Sequence, residues 1–488
     1  MTLLTLVLGG VLIGYLIGAL PGFDITTGVA LMLPLSYVME QSHALAFFSA
    51  MYCAGVFGGS ITAILFRIPG TSESVMSAVE GHPFTQSGQA ARALGLAVLC
   101  SGLAGVLATC VLIGLAPWLA SLALKFGPGD YAALGVLGCA AVIAGSGGNL
   151  RKGVLALSLG LLVSTVGADP FSGEPRFVVS NELRDGVGLI PAIIGLFAAG
   201  DVLWRLLVSD IPGVSADRVD AQLNTLQSLK DWAAVRWTFA RAWLLGLATG
   251  VLPGAGASSA AFLAHSVESR ISPGRRSFGQ GSLHGLAAPE TAKNAAAVGS
   301  LIPLLALGIP GSGTAAVILG AFEIHNLQVG PLLFAHQPAV VSTIFFAVML
   351  ANVLFVVTSP FVIRPFARMT RLPYPFMATM ILTLSVGGCL ATGGVAAAQV
   401  MLGFAVVGVC LRLLNIPLAP VILGVVLGPI IELYTRRGLL LSDGHVGSVF
   451  SSSISVSLLA ASLLLVLLPA IGSQWWRRRE ASSASGER

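Results

Sequence analysis

The chain has 488 residues, of which 55% are hydrophobic and only 10% charged, with a net charge of +5 from 26 basic and 21 acidic side chains. Its mean hydropathy is +0.89, whereas a soluble domain carries roughly 25% charged residues. The composition therefore excludes a water-soluble globular protein and predicts an all-α polytopic membrane protein, because the alternation in pieces of about ten residues that marks a membrane barrel is missing.

In chain order, Leu3–Leu20 reads as a first membrane helix. It has no preceding basic residue and no small-residue cleavage site, which disfavours a signal peptide. The run stops at GALPGFDITTG (18–28), where Pro21 and Gly22 break helices and Asp24 adds a charge, and apolar character resumes at Val29–Leu33. Further spans are expected at Ala93–Leu115, Val340–Val362, Met377–Ala398 and Ile454–Ile471. Each is long enough for a hydrocarbon core of about 30 Å, and about eleven to thirteen hydrophobic segments are expected in all. Ser209–Arg236 is the longest internal polar stretch and reads as a partly helical connecting loop; Glu268–Asn294, with Arg270, Arg275 and Arg276, is a second. Arg364, Arg368 and Arg371 mark a cytoplasmic loop, and Arg436 and Arg437 after Glu432 mark a helix end. TrpTrpArgArgArgGlu at 475–480 places the C-terminus in the cytoplasm by the positive-inside rule. The six cysteines (Cys53, Cys100, Cys110, Cys139, Cys389, Cys410) lie in apolar segments without metal-ligand spacing and read as small core residues.

The break motif recurs. GALPG at 18–22 returns as GVLPG at 250–254, an offset of 232 (250 − 18). GGSITAILFRIPGTSES at 58–74 is matched by VGSLIPLLALGIPGSGT at 298–314, and AVEGHP at 78–83 by AFEIHN at 321–326. One Pro-Gly marks any turn, but an ordered series present twice indicates internal duplication. The predicted layout is a first membrane repeat (1–208), a polar connecting loop (209–236), a second repeat (237–474) and a cytoplasmic basic tail (475–488).

Inside hydrocarbon a broken helix is tolerable only where it is buried in protein or lines a wet cavity. Paired breaks at equivalent positions of two halves are the sequence mark of a transport site. Half-helix N-termini present partial positive charge to anions, and carbonyls with hydroxyls bind Na⁺. The candidate residues are Pro21, Gly22, Asp24 and Thr26 at the first LPG, and Pro253, Gly254 and Ser258, with Ser259, at the second. Ser60, Pro69, Gly70, Thr71 and Ser72, with Thr62 and Ser74, surround the first IPG; Ser300, Pro310, Gly311, Ser312 and Thr314 surround the second. The competing reading makes each Pro-Gly a turn outside the membrane. Glu290 and Asn294, four apart, share a face if helical, against the alternative of a solvated loop. Asp24 is either an ion ligand or proton carrier, or only a helix cap. Arg67 either meets an anion or snorkels to the interface. His82 and His325 recur by repeat without further ligands and read as structural; no metal site is expected.

These blocks carry a family resemblance. LPGFDITTGVALMLPLSY, GGSITAILFRIPGT, EGHPFTQSGQAARALGLA, VGADPFSGEPRF, GVLPGAGASSAAFLAHSVE, AAPETAKNAAAVGSLIPLLALGIPGS and PLAPVILGVVLGPIIE resemble the large permease subunit (TctA) of tripartite tricarboxylate transporters, from about Gly14 to Ile471. The resemblance implies a bacterial inner-membrane permease working with a small membrane subunit (TctB-like) and a periplasmic solute-binding protein (TctC-like). Such systems import carboxylates such as citrate on an ion gradient, often Na⁺; no other cofactor is implied. The chain departs from the family pattern at Arg67 and Lys293, where Asn is usual, at Asp24, where a hydroxyl or small residue is usual, and in a tyrosine-rich stretch thinned to Tyr52, Cys53 and Phe57. The departures add charge near the expected site and count against citrate itself.

Two other classes are weighed. A stand-alone carrier of organic anions would have the same fold. An intramembrane hydrolase would need Ser258 and His265 in contact, yet seven helical residues separate them by roughly 10 Å, or Asp24 facing Asp201. The expectation is a carboxylate permease, not an enzyme, with inverted repeats, a central site and an elevator-like alternating access.

Overall fold

The structure is a computed structural model that describes residues 2–20, 23–145, 150–179, 181–208, 225–273, 277–369 and 374–467. The expected breaks at Pro21 and Gly22, the loop residues 209–224, Arg275, Arg276, Arg371 and the basic tail at 475–488 lie outside the described residues. The first half supplies α1 (Leu3–Ala19), α2 (Ile25–Met32), α3 (Gln41–Phe66), α4 (Val75–Gln86) and the long α5 (Ala90–Ala123). α6 (Pro128–Ala144), α7 (Leu150–Val163), α8 (Leu189–Ile193) and α9 (Gly200–Val208) follow, with a π-helical turn at Ile194–Ala199 joining the last two. α10 (Thr225–Ala234) gives the connecting stretch its helical part, ahead of α11 (Arg236–Val251), α12 (Gly256–Ile271), α13 (Leu283–Gly299), α14 (Leu301–Leu307) and α15 (Gly313–Ile324). The chain closes with α16 (Pro331–His336), α17 (Pro338–Met369), α18 (Tyr374–Leu413), α19 (Ala419–Leu441), α20 (Val446–Val449) and α21 (Ser453–Leu467).

The fold is all-α, as composition predicts; among the described residues the strands are β1 (Gly167–Ala168) and β2 (Pro175–Arg176), paired antiparallel with Gly167 opposite Arg176. Among the described residues six helices are long and apolar enough to cross a membrane, and six shorter apolar helices accompany them. Together they fall within the expected number of segments. One expected span is corrected: Met377–Ala398 is not continuous, because Gly393 (φ −148°) and Gly394 (φ 63°) leave helical geometry inside α18. Hydropathy sees two apolar residues there; the backbone sees two residues without a Cβ to hold it helical. A second correction concerns Arg436 and Arg437, which lie inside α19 rather than at its end.

Contacts divide the chain into two compact units, Met1–Leu124 with Val187–Leu418, and Lys125–Gly186 with Ala419–Arg488. In the first, α1 packs along α3 and α11 packs along α13 through small residues. A Cβ at Gly14 would collide with the Met51 carbonyl and one at Gly18 with the Gly55 carbonyl. The same relation recurs between Gly246 and Ala292, and between Gly250 and Ala296. Small residues at these positions let backbones touch, the packing that substitutes for hydrophobic drive inside lipid. The duplication read from the repeated blocks is thus also a duplication of helix contacts.

In the second unit a charged network replaces the expected helix end. Asp169 accepts from the Phe171 and Ser172 backbone N–H groups, each at 2.9 Å, and from Arg436 Nη1 at 2.6 Å. Arg176 Nη1 donates to Glu432 Oε1 at 2.6 Å. Two carboxylates and two guanidiniums neutralise one another, so α19 carries Arg436 through without terminating. The Ser172 and Phe171 N–H groups, with Arg436, hold the Asp169 carboxyl well below its ordinary range.

Candidate functional site

Each half builds two helix restarts. After the first LPG, Asp24 caps α2: its Oδ1 accepts from the Thr26 N–H at 2.9 Å. After the second, Gly254 turns with φ 82°, and its N–H donates to the Gly311 carbonyl at 3.0 Å. That bond ties the LPG break of the second half to its own IPG break. Before each IPG the helix ends on a left-handed residue, Arg67 (φ 57°) closing α3 and Gly308 (φ 74°) closing α14. The chain then restarts as the Ser72–Ser74 turn leading into α4, and as α15, whose N-cap Ser312 accepts from the Ala315 N–H at 3.0 Å.

The glycines of the two IPG motifs occupy matching niches. A Cβ at Gly70 would strike the Gly18 carbonyl and the Gly59 Cα; one at Gly311 would strike the Gly250 carbonyl and the Ser300 Cα. Gly59 therefore corresponds to Ser300, an offset of 241 (300 − 59) that also relates Gly70 to Gly311 and Arg67 to Gly308. The pairing of Ser60 with Ser300 implied by matching the blocks at 58–74 and 298–314 from their first residues is corrected by one residue. Seven residues (61–67) separate Ser60 from Ile68 and eight (301–308) separate Ser300 from Ile309, so the motif letters shift while the backbone niches do not.

The helix restarts that follow the four breaks converge, and they do so across the halves. Thr26 Oγ1 lies 2.8 Å from Thr314 Oγ1, and Ser72 Oγ lies 2.9 Å from Ser258 Oγ. In each pair, a hydroxyl from the helix after one half's LPG meets one from the restart after the other half's IPG. Ser72 Oγ also donates to Asp24 Oδ2 at 2.9 Å. Tyr52 OH lies 3.1 Å from Ser312 Oγ and 3.4 Å from Ser300 Oγ, and Thr71 Oγ1 lies 2.9 Å from Ser74 Oγ. Ser72 is exposed and Asp24 and Ser258 are half-buried, whereas Thr26, Thr71, Ser300, Ser312 and Thr314 are buried. Pro253 and Pro310 are buried and Pro69 is half-buried at the turns themselves.

Behind this hydroxyl cluster sits a fully buried ion pair. Lys293 Nζ lies 2.9 Å from Glu290 Oε1, with both side chains 0% exposed. Glu290 accepts from Ser60 Oγ at 2.5 Å, from Ser101 Oγ at 2.8 Å and from Ser77 Oγ. Lys293 also donates to Ser60 and, at 3.5 Å, to Ser74. Glu290 and Asn294 thus lie on a buried helix, which rules out the solvated loop; Asn294 donates back to the Glu290 carbonyl at 3.3 Å.

Several residues stand elsewhere. Arg67 is exposed. His82 Nδ1 lies 3.3 Å from the Ile64 carbonyl. His265 Nε2 pairs with Glu80 Oε1 at 2.7 Å while Ser258 pairs with Ser72; Asp201 pairs with Arg205 and Arg412. The hydrolase pairings are therefore not formed. Sequence reasoning missed Ser77, Ser101 and the buried Glu73, and treated Lys293 and Tyr52 only as departures from a pattern. The available signal was the charged Lys293 within the small-residue run of α13.

Convergent hydroxyls at the N-termini of α2, α12 and α15 and at the Ser72–Ser74 turn suit an anion's oxygens, and the half-buried Asp24 beside them suits a cation. The chain matches the tripartite tricarboxylate transporter TctA family over residues 4–423. It is similar to an uncharacterized 52.8 kDa protein in the TAR-I ttuC' 3'region of Agrobacterium vitis, 35% identical over 470 residues that cover 95% of this chain and 93% of the relative. A second relative, an uncharacterized protein in the TAR-II ttuC' 3'region of the same organism, is 35% identical over 233 residues, or 47% of this chain and 96% of that protein. No solved structure matches the chain significantly. With spanning helices and a family match over most of its length, the chain belongs to the tripartite tricarboxylate transporter TctA family of membrane permeases.

Proposed function

We propose that the protein is the large permease subunit of a binding-protein-dependent secondary transporter in a bacterial inner membrane. It imports a carboxylate by alternating access, with a small membrane subunit and a periplasmic solute-binding protein as partners, and is driven by a Na⁺ or H⁺ gradient. The observation that supports this reading best is the meeting of α2, α12, α15 and the Ser72–Ser74 turn through the Ser72–Ser258 and Thr26–Thr314 pairs. Their first-turn N–H groups and hydroxyls form a binding surface for a carboxylate without an unpaired basic side chain. Because the two pairs join opposite halves, a substrate held there is sensitive to any movement of one repeat-derived unit against the other.

Asp24 supplies the coupling. A substrate carboxylate beside it is repelled, by about 4 kcal/mol at a separation of 4 Å in a half-wet site. A cation or proton on Asp24 removes that repulsion, so driving ion and substrate bind together and move together. Uptake of labelled di- and tricarboxylates into cells expressing the permease with its two partners tests the reading. Gradient-dependent accumulation that needs the binding protein supports it. Accumulation by the permease alone would make it a stand-alone carrier, and no accumulation of any carboxylate would sink the class.

A further inference from the structure

Lys293 has no role in the scheme above, yet it is a fully buried charge on a helix of small residues. Such a charge is costly and calls for a cause. Its ammonium has three donors, and three oxygens meet it: Ser60 Oγ, Glu290 Oε1 at 2.9 Å and Ser74 Oγ at 3.5 Å. Ser77 and Ser101 complete the Glu290 carboxylate from other sides. The set is one carboxylate and several hydroxyls, all hard oxygen donors, in the interior directly behind Thr71 and Ser74. That donor chemistry is what a small monovalent cation takes in a membrane carrier.

We propose that the Lys293 ammonium is a tethered cation filling an oxygen cage that, emptied of it, binds one free alkali cation of the Na⁺ class. Glu290, Ser60 and Ser74 are the ligands of that cage, with water completing the shell. In this chain the position is filled from within, so no free ion occupies it. The coupling ion is left to act elsewhere, at Asp24. The consequence for transport rests on the cation-driven reading; the binding claim does not.

The test measures ion binding without transport. The full chain is purified as wild type, Lys293→Ala and Lys293→Met, and its thermal midpoint is followed as sodium chloride replaces choline chloride at constant ionic strength. A ligand that binds only the folded state raises the midpoint with its concentration. Lys293→Ala should show a saturable, sodium-specific rise of several degrees. Measured in the Asp24→Asn background, so that no ion at Asp24 contributes, the chain with Lys293 intact should show none, because the cage is filled, and Lys293→Met should show none, because its side chain fills the same volume without charge. Adding Glu290→Gln to Lys293→Ala should abolish the rise. A Lys293→Ala midpoint equal in sodium and choline overturns the proposal, as does a sodium-specific rise in wild type that Glu290→Gln removes. Should Lys293→Ala not accumulate, Lys293→Asn takes its place. Failure of both to accumulate in sodium-containing medium also overturns the proposal, since sodium is the predicted rescuer. Failure of wild type to carry any carboxylate would refute the transport reading and leave this result untouched.

Discussion

Tyr52 and Lys293 occupy corresponding positions in the two halves, 241 residues apart (293 − 52), and each reaches into the opposite half. Tyr52 OH meets Ser300 and Ser312 of the second half, and Lys293 Nζ meets Ser60 and Ser74 of the first. The cross-half hydroxyl pairs obey the same exchange. The two repeats are therefore built into one another at the breaks, and that is the arrangement a shared site requires.

Ser72 and Ser258 are accessible, so removing their hydroxyls should spare the fold. Ser72→Ala and Ser258→Ala should each change stability by no more than about 0.5 kcal/mol, as surface substitutions do, yet raise the KM for carboxylate uptake. A double-mutant cycle on uptake should show that the two are coupled. Additive effects would mean that the pair does not act as one.

Asp24→Asn separates cap from charge. Asn caps a helix as well as Asp does, so the thermal midpoint should hold to within the equivalent of about 0.5 kcal/mol. Uptake should fall and lose its dependence on the cation gradient. Retained gradient dependence in this variant would place the coupling ion elsewhere.

Arg67 carries a Cβ through a left-handed cap for which the second half uses Gly308. That conformation costs an L-residue roughly 1–2 kcal/mol. Arg67→Gly should accordingly stabilise the protein by about 1 kcal/mol, less the extra backbone freedom that glycine brings to the unfolded chain. A lower midpoint would show that the Arg67 side chain has a role its exposure hides.

Gly70 and Gly311 are predicted to be intolerant. A Cβ at either meets backbone on two sides, and overpacking of this kind costs about 1–3 kcal/mol. Gly70→Ala and Gly311→Ala should lower the midpoint comparably, the two niches being equivalent. If one is neutral, the halves do not share the geometry described.

Acid should reach the second unit late. The Ser172 and Phe171 N–H groups and Arg436 depress the Asp169 carboxyl, so its contribution is fully present above the ordinary carboxylate range and is lost as pH falls through the lower folded value. Hydrogen exchange at 167–176 should stay protected from neutrality to about pH 4. Asp169→Asn should weaken that protection near neutrality and flatten its loss in stronger acid.

Much of this was legible in the sequence, at particular points. LPG and IPG named the breaks because proline and glycine act locally, and Asp24 could be read as a cap from its neighbours alone. The Glu290–Lys293–Ser77–Ser101 cluster could not be read, because residues from three distant helices meet there and no local pattern records it. The interruption at Gly393–Gly394 escaped because hydropathy averages over backbone conformation. The one-residue shift between the Gly-Ser pairs at 59–60 and 299–300 escaped because the register is fixed by the backbone niches of Gly70 and Gly311, which the letters do not record.

If the breaks of both halves form one transport site, a reversible cross-link between them must stop transport. Ser72 Oγ and Ser258 Oγ lie 2.9 Å apart, so Ser72→Cys with Ser258→Cys should form a disulfide on mild oxidation. Carboxylate uptake should then fall to background and return with reductant, while each single cysteine variant is indifferent to both treatments. Complete cross-linking with undiminished uptake would show that these breaks do not form the transport site.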